Sequence, residues 1–303
     1  MDKISQALEA VQYKLPRVKF KLMEPLKHHT SFRIGGPVRA MFFPNRLTAL
    51  TDLCGLLHEY GVVPVIMGNG TNLLADDKAL EMVVVNTMGL NSREQTGETR
   101  ITAGAGVLVS KLAVFASELG LSGLEFAHGI PGTLGGAVSM NAGAYGGEMK
   151  DVISGSTVYN PEKGVFSITA EEHGFSYRHS RFSECGDVIL SSVVDLEKGD
   201  TDMIREKMGE LYNRRRESQP IDMPSAGSAF KRPETGFAAS FIEQAGLKGY
   251  LSGGAQVSEK HAGFIINRGG ATFADVMAVI RHVRETVVEQ FGVELEPEIK
   301  IIS

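Results

Sequence analysis

The chain of 303 residues is long enough to bury one large core or two to three smaller ones. Its net charge of −5 and its pI near 5.9 argue against nucleic acid or an anionic membrane surface as a partner. The N-terminal residues carry charges throughout, and no run approaches about 18 apolar residues. We therefore expect a cytoplasmic protein with neither a signal peptide nor a membrane span.

Apolar periodicity indicates six helices and a set of short strands. The predicted helices are 3–13, 50–60, 112–119, 201–218, 236–246 and 272–291. The predicted strands are 38–43, 62–66, 82–86, 99–106, segments of 152–169 and 187–197, 263–267 and the closing ELEPEIKIIS. The last helix has the clearest ends, because Thr272 and Asp275 resemble a capping box and Gly292 follows its final turn.

Cysteine and histidine usage predicts neither a disulfide nor a metal site. Cys54 and Cys185 lie far apart and form no CxxC pair, so we expect two reduced, buried thiols. The eight histidines show no HxxxH pattern, so we expect no bound metal.

A glycine-containing loop follows the predicted strand 62–66. Its sequence is Gly68-Asn69-Gly70-Thr71-Asn72-Leu73. Two glycines after a strand allow backbone N–H groups to face outward, and such a nest binds oxyanions. An Asn-Gly pair alone is more typical of a simple tight turn, and that alternative stays open for this loop by itself.

A second, denser glycine motif lies between Gly123 and Gly147, where eight glycines fall within 25 residues. Pro131 is suited to the first position of a helix, and a helix N-terminus here would present free N–H groups to a pyrophosphate. The motif is neither the dinucleotide fingerprint GxGxxG nor a Walker loop. We interpret it as a diphosphate cradle, and the alternative is a purely structural loop.

The two glycine motifs, three later segments in the order of the family and one earlier segment together resemble the UDP-N-acetylenolpyruvoylglucosamine reductase family. The further segments are HHTSFRIGG (28–36), SYRHS (176–180), GSAFKRP (227–233) and EPEIKII (296–302). The match covers the chain from about residue 20 onward. The short segment between Arg178 and Arg214 is typical of the shorter, type II subgroup.

The resemblance implies an α+β protein with a two-part FAD-binding region of the vanillyl-alcohol-oxidase (PCMH) kind and a separate α/β substrate-binding domain. We expect FAD-binding subdomains at 1–85 and 86–200, a substrate-binding domain at 201–291 and a C-terminal strand at 292–303. FAD is expected to bind non-covalently. The cofactor-binding residues that the resemblance implies are Arg33, Gly68, Asn69, Gly70, Thr71, Asn72, Leu73, Gly129, Ile130, Pro131, Gly132, Thr133, Gly135, Ala137, Asn141, Gly143 and Ala144.

The resemblance also implies a reaction in two halves. NADPH reduces the flavin, and the reduced flavin passes a hydride to the enolpyruvyl group of a UDP-sugar, which gives UDP-N-acetylmuramate for peptidoglycan synthesis. Arg178 is expected to stabilise the developing enolate, and Glu298 to assist with a shared proton and a raised pKa. Ser228 is expected to protonate the carbon. The residues expected to bind the UDP-sugar are Tyr177, Arg214 and Lys231.

Two other interpretations stay open. One is another FAD-dependent oxidase or dehydrogenase of the same fold, and the other is a non-catalytic nucleotide-binding module. Taken singly, Arg178, Ser228 and Glu298 would be an ordinary surface arginine, turn serine and edge-strand carboxylate, so only the ordered motifs favour catalysis. Lys300 stands where many family members have arginine, which weakens the expectation for how Glu298 is anchored. We expect a monomer whose partners are small molecules.

Overall fold

The computed structural model describes residues 2–303, which form two compact units. The first unit contains the residues up to Leu22, Arg39–Asn69 and Glu81–Asn213. The second contains Met23–Val38, Gly70–Leu80 and Arg214–Ser303. The predicted domain boundaries at residues 85, 200 and 291 stay predictions, because a division into two interleaved units does not test a division into four parts.

All six predicted helices are present, together with a short one at residues 134–139. In chain order, the α-helices of the described residues are α1 (Lys3–Lys14), α2 (Leu47–Glu59), α3 (Val109–Glu118), α4 (Leu134–Ser139), α5 (Thr201–Ser218), α6 (Ala238–Gln244) and α7 (Phe273–Phe291). The predicted capping box of α7 is confirmed. Thr272 Oγ1 accepts from the Asp275 N–H at 3.1 Å, and the Asp275 carboxylate accepts from the Thr272 N–H at 2.9 Å.

The strands are mostly short. In chain order, they are β1 (Lys19–Pro25), β2 (Pro37–Phe43), β3 (Val65–Met67), β4 (Leu73–Ala75), β5 (Leu80–Asn86), β6 (Arg93–Gln95), β7 (Arg100–Gly104), β8 (Leu121–Ser122), β9 (Gly143–Ala144), β10 (Gly147–Glu148), β11 (Ile153–Asn160), β12 (Gly164–Thr169), β13 (Val188–Asp195), β14 (Glu197–Lys198), β15 (Ser225–Ser228), β16 (Leu251–Ser252), β17 (Ala255–Val257), β18 (Phe264–Asn267) and β19 (Lys300–Ile302).

The first unit is built on two sheets. A four-stranded sheet has the order β1-β2-β5-β3, and a five-stranded sheet has the order β12-β11-β13-β7-β6. One core lies between α1, α2 and the first sheet, around Leu53 and Phe42. The other core packs α3 and α4 against the second sheet, around Leu112 and Leu134. Burying these apolar side chains is the main favourable contribution to folding.

The second unit packs α6 and α7 against an antiparallel sheet of order β15-β18-β17-β16. Its core includes the buried face of α7, and it draws Phe32, Ile34 and Leu74 from segments far earlier in the chain. The parallel pair of β4 and β19 also belongs to this unit. No helix within residues 2–303 combines the length and the apolar character that crossing a membrane requires.

Three element predictions are wrong in detail. The helix near Pro131 begins only at Leu134, because Thr133 is its N-cap and accepts from the Gly136 N–H through Oγ1. The strand predicted at 62–66 begins at Val65, directly after a proline that has no N–H for the ladder. The closing strand covers Lys300–Ile302 alone.

Candidate active site

The loop after β3 packs against the segment that precedes α4, within the first unit. Gly68 leaves no room for a side chain, since a Cβ there would lie 2.2 Å from Thr133 Oγ1. Asn69 Nδ2 donates to the Pro131 carbonyl oxygen at 2.7 Å. The two predicted cofactor loops of this unit are therefore joined to each other, and protein packing alone already requires the glycine at position 68.

The part of the glycine loop from Gly70 onward belongs to the second unit, where it contacts residues 29–31. Gly70 has φ 62°, and a Cβ there would lie 2.0 Å from the His29 carbonyl oxygen. The Ser31 N–H donates to the Gly70 carbonyl oxygen at 3.0 Å. Arg33 lies in the adjoining loop with φ 58°, a conformation that costs free energy for any residue other than glycine.

Each unit presents a pair of successive backbone amides that donate to no protein acceptor in residues 2–303. They belong to Gly70 and Thr71 in the second unit and to Gly132 and Thr133 in the first. Backbone amides in folded proteins are normally hydrogen-bonded, and successive free ones form nests that bind anions. Each pair, taken within its own unit, therefore has the form of a nest that suits phosphate oxygens such as those of FAD.

The remaining predicted cofactor residues lie in or beside the same elements. Asn72 precedes β4 and Leu73 is in β4, Gly129 and Ile130 precede Pro131, Gly135 and Ala137 are in α4, Asn141 follows α4, and Gly143 and Ala144 form β9.

Arg178 lies at the tip of a tight turn in the first unit. Ser176 and His179 close the turn through reciprocal backbone hydrogen bonds of 3.1 and 3.3 Å. Arg178 itself has φ 53°, an unfavourable conformation that persists only where the surroundings enforce it. Its Nη2 donates to the Gly143 carbonyl oxygen at 3.3 Å, and its guanidinium carbon lies 5.1 Å from the centroid of the Tyr177 ring. The turn thus brings Arg178 and Tyr177 together with Gly143.

Asn141 and Glu148 lie behind this turn, and sequence analysis missed Glu148. Asn141 is fully buried with φ 45°, and its Nδ2 donates to Glu148 Oε2 at 2.8 Å. Glu148 Oε2 also lies 2.9 Å from Lys150 Nζ. The hydrogen bond from Lys150 holds the pKa of Glu148 below its usual value, and the amide of Asn141 and the charge of Arg178 act in the same direction. The only sequence signal was an acidic residue directly after Gly147.

Ser228 and Glu298 lie on adjacent segments of the second unit. Ser228 pairs with Phe264 where the ladder between β15 and β18 has an irregular register. The Glu298 N–H donates at 2.9 Å to the carbonyl oxygen of Ala229, the residue after Ser228. The structure therefore brings two of the three predicted catalytic residues onto neighbouring backbone segments.

The predicted UDP-sugar residues are distributed over both units. Lys231 is in an ion pair, with its Nζ 2.5 Å from Glu296 Oε1, and its N–H donates to the Glu296 carbonyl oxygen at 2.8 Å. Binding a diphosphate through Lys231 would therefore compete with Glu296 for the ammonium group. Arg214 is exposed near the end of α5, and Tyr177 is exposed beside Arg178.

The two cysteines differ in environment. Cys54 is buried as predicted, and burial raises the pKa of its thiol to about 12. The prediction is wrong for Cys185, which is only half-buried in the irregular segment before β13. Among residues 2–303, no three His, Cys, Asp or Glu side chains are grouped in a way that could hold a metal ion.

Comparisons with known proteins agree with these features. An FAD binding domain model matches residues 38–168, and the C-terminal domain model of UDP-N-acetylenolpyruvoylglucosamine reductase matches residues 219–302. A UDP-N-acetylenolpyruvoylglucosamine reductase from Caldanaerobacter subterraneus subsp. tengcongensis is 49% identical, with 94% of each chain covered. Another from Agathobacter rectalis is 45% identical, with 98% of each chain covered.

The crystal structure of UDP-N-acetylenolpyruvylglucosamine reductase from Thermus caldophilus matches with a TM-score of 0.81 and 32% identity, covering 95% of this chain and 99% of that one. The predicted α+β fold, with an FAD-binding region and a separate C-terminal domain, is confirmed. The chain belongs to the UDP-N-acetylenolpyruvoylglucosamine reductase family and is an FAD-containing oxidoreductase.

Proposed function

We propose that Arg178, Ser228 and Glu298 carry out, in this chain, the reaction of its family. The chain reduces UDP-N-acetylenolpyruvoylglucosamine in peptidoglycan synthesis, with NADPH as the source of the hydride. When bound, FAD would supply the hydride chemistry that connects NADPH with the enolpyruvyl group. The chain's own residues have to hold the cofactor, orient the substrate, stabilise the negative charge and deliver a proton.

The cofactor is held mainly by backbone groups in this proposal. The free amides of Gly132 and Thr133 in the first unit, and separately those of Gly70 and Thr71 in the second, would suit phosphate oxygens, which reduces the need for a basic side chain. Gly68 allows the loop to reach Thr133 closely enough for Asn69 to bond Pro131.

Arg178 is proposed to bind the carboxylate of the enolpyruvyl group. Adding a hydride to the terminal carbon places negative charge on the adjacent carbon and its carboxylate. A guanidinium held in place before the reaction stabilises that charge without reorganising. Support comes from the strained backbone of Arg178 and from its bond to Gly143, which together fix the turn beside a predicted cofactor segment.

Ser228 is proposed to give its hydroxyl proton to the carbon, while Glu298 polarises the carboxylate from the neighbouring segment. The single observation that carries this proposal is the 2.9 Å hydrogen bond between the Glu298 N–H and the Ala229 carbonyl oxygen. Residues that are 70 positions apart in sequence are held side by side by the main chain, as a joint role on one substrate requires.

The visible spectrum of the purified protein tests the proposal. We expect a yellow protein whose flavin absorbance bleaches with NADPH and returns, without air, only when the enolpyruvyl UDP-sugar is added. Rapid return in air with formation of hydrogen peroxide, and none with the sugar, would instead favour an oxidase of the same fold. A protein that binds FAD but is not bleached by NADPH, and whose dithionite-reduced flavin is not reoxidised by the sugar, would be a non-catalytic binding module.

A cytoplasmic monomer is part of the same proposal. A mass of 32.7 kDa in light-scattering measurements at micromolar concentration would agree with a monomer, and twice that mass would contradict it.

A further inference from the structure

Two asparagines that the sequence assigned to the cofactor have side chains that bond to other parts of the protein. We propose that Asn141 and Asn72 are positioning residues, each of which links a cofactor-binding loop to the segment that carries a proposed catalytic residue. Asn141 acts on the turn of Arg178, and Asn72 acts on Glu298. The inference rests on the proposed function for the catalytic roles, but the links themselves are features of the fold.

The first link lies in the first unit, at the end of α4. Asn141 Nδ2 donates to the Ser176 carbonyl oxygen at 3.0 Å and to Glu148 at 2.8 Å, and its Oδ1 accepts from the Lys150 N–H at 2.9 Å. Both donor hydrogens of the fully buried Asn141 amide are thus committed to the protein, so the side chain cannot donate to a cofactor without giving up one of these bonds.

The turn of Arg178 is attached to α4 on both sides. Asn141 bonds to Ser176, which begins the turn, and Ser180 Oγ donates to the carbonyl oxygen of Ser139 at 2.7 Å just after it. Since α4 follows directly on Gly132 and Thr133, the amides proposed to bind the diphosphate and the turn of Arg178 are connected through one short helix.

The second link lies in the second unit, between the glycine loop and β19. Asn72 Nδ2 donates to the Glu298 carbonyl oxygen at 3.1 Å, and the Asn72 carbonyl oxygen accepts from the Lys300 N–H at 3.0 Å. The Glu298 N–H is bonded to Ala229 at the same time. The backbone of Glu298 is therefore held on one side by the Ser228 segment and on the other by the residue that follows Gly70 and Thr71.

The two links have the same chemical form. In each, an asparagine follows a pair of free backbone amides, Asn72 by one residue and Asn141 by eight. Its side-chain amide donates to a carbonyl oxygen in the segment that bears a charged, proposed catalytic side chain. Anion binding by those amides orders the loop, and the asparagine transmits that order to the segment. Displacements of about 1 Å at a reacting group can cost roughly a hundredfold in rate, so such links matter to the reaction.

The variants Asn141→Gly and Asn72→Ala break one link each. Glycine tolerates the φ of 45° at position 141, so the first variant removes hydrogen bonds without adding backbone strain. Asn160→Ala is the matched control. The Asn160 side chain also bonds to protein groups, donating to Asp187 at 2.7 Å and accepting from the Glu162 N–H at 2.9 Å. It lies in the hairpin of β11 and β12, away from both links.

Hydrogen exchange with and without FAD tests the links directly and needs no turnover. We expect FAD to slow exchange at residues 176–179 and 298–300 of the unsubstituted protein. Asn141→Gly should lose this effect at 176–179 only, and Asn72→Ala at 298–300 only, while Asn160→Ala keeps both. Retention of both effects in both variants, or absence of any FAD effect in the unsubstituted protein, overturns the proposal even if a variant folds poorly.

The two half-reactions give the second test. With saturating FAD, we expect each variant to be bleached by NADPH within about twofold of the unsubstituted rate and to be reoxidised by the UDP-sugar about 10- to 100-fold more slowly. Equal losses in both half-reactions would mean a general structural defect and would contradict the positioning role. If the unsubstituted protein itself is not reoxidised by the sugar, the proposed function fails, whereas the exchange experiment still decides the links.

Discussion

The turn of Arg178 and the paired segments of Ser228 and Glu298 are held in place in different ways. Arg178 depends on side chains: Asn141 and Ser180 attach its turn to α4, and its own backbone is in an unfavourable conformation. Ser228 and Glu298 depend mainly on main-chain bonds, through the ladder of β15 with β18 and the bond from Glu298 to Ala229. The first arrangement is sensitive to single substitutions on both sides of its turn. In the second, the Asn72 amide adds one side-chain bond to a main-chain frame, so changes of side chain at other positions are better tolerated.

Replacing Ser228 should have the largest effect on the rate of reoxidation, and it should remove a proton donor without moving the segment that carries it. Since the main chain fixes this segment, Ser228→Ala is expected to keep its FAD and its reduction by NADPH. Reoxidation by the enolpyruvyl UDP-sugar should slow by about a hundredfold or more, because the carbon loses its proton donor. Stopped-flow absorbance of the flavin measures both steps. The control is Ser225→Ala in the same strand, and an unchanged rate for Ser228→Ala would remove Ser228 from the mechanism.

Arg178→Lys should have a smaller effect that arises from geometry. Lysine keeps the positive charge but loses the fork that bonds a carboxylate and the Gly143 carbonyl at the same time. We expect reoxidation to slow by about tenfold, which corresponds to the loss of one charge-assisted hydrogen bond of roughly 1.5 kcal/mol. Arg100→Lys, the same change at an exposed ion pair of the first unit, is the control. Equal rates in the two variants would show that the shape of the guanidinium is unimportant.

Asn69→Ala should weaken the cofactor site without changing either catalytic segment. The bond from Asn69 to the Pro131 carbonyl joins the two cofactor loops of the first unit. Its loss should raise the dissociation constant for FAD about fivefold, as expected for one neutral hydrogen bond of about 1 kcal/mol. Titration of the apoprotein with FAD, followed by flavin fluorescence, measures this. An unchanged constant would mean that the loops are joined by packing around Gly68 alone.

Acid should destabilise the first unit through the buried His173 and the second through the half-buried His261, and this is the smallest of the expected effects. Burial lowers the pKa of His173 in the first unit and of His261 in the second from the ordinary value of 6.5. The unfolded chain therefore binds more protons than the folded one just below pH 6.5, so stability falls as the pH falls through that window.

Thermal unfolding between pH 7.5 and 5.5 measures this dependence, and His173→Gln should flatten it. His173 accepts from or donates to Ser156 at 2.8 Å and bonds to the Thr169 carbonyl at 2.7 Å, so glutamine can replace part of its bonding without titrating. A dependence that is as steep in the variant as in the unsubstituted protein would place the titrating group elsewhere.

Periodic helices were predictable because their signal is local. Helix α7 shows this best, since its apolar stripe, its capping box and the glycine at its end are all present within 21 residues of sequence. The glycine motifs were also predictable as regions of close backbone approach. The bond from Asn72 to Glu298 was not, because it joins positions 226 residues apart and its donor looks like any polar loop residue.

The same limit explains the errors at the site. Pro131 satisfied a local rule for helix starts, but the Gly132 carbonyl is already bonded to the Val109 N–H and the helix begins later. Glu148 was missed because its importance comes from Asn141, Lys150 and Arg178 converging on it in space. Only resemblance to a family could single out Ser228, whose sequence surroundings are those of an ordinary turn.

The division of the chain between Asn69 and Gly70 limits how this protein can be taken apart or recombined. A fragment that starts at Arg214 would lack β4, the partner of β19, and also Phe32, Ile34 and Leu74 of its own core. Cloning such a fragment as an autonomous domain should yield an unfolded or aggregating polypeptide. For the same reason, neither unit can be exchanged between relatives as one continuous stretch, so a functional chimera needs at least three segments of each unit from the same parent.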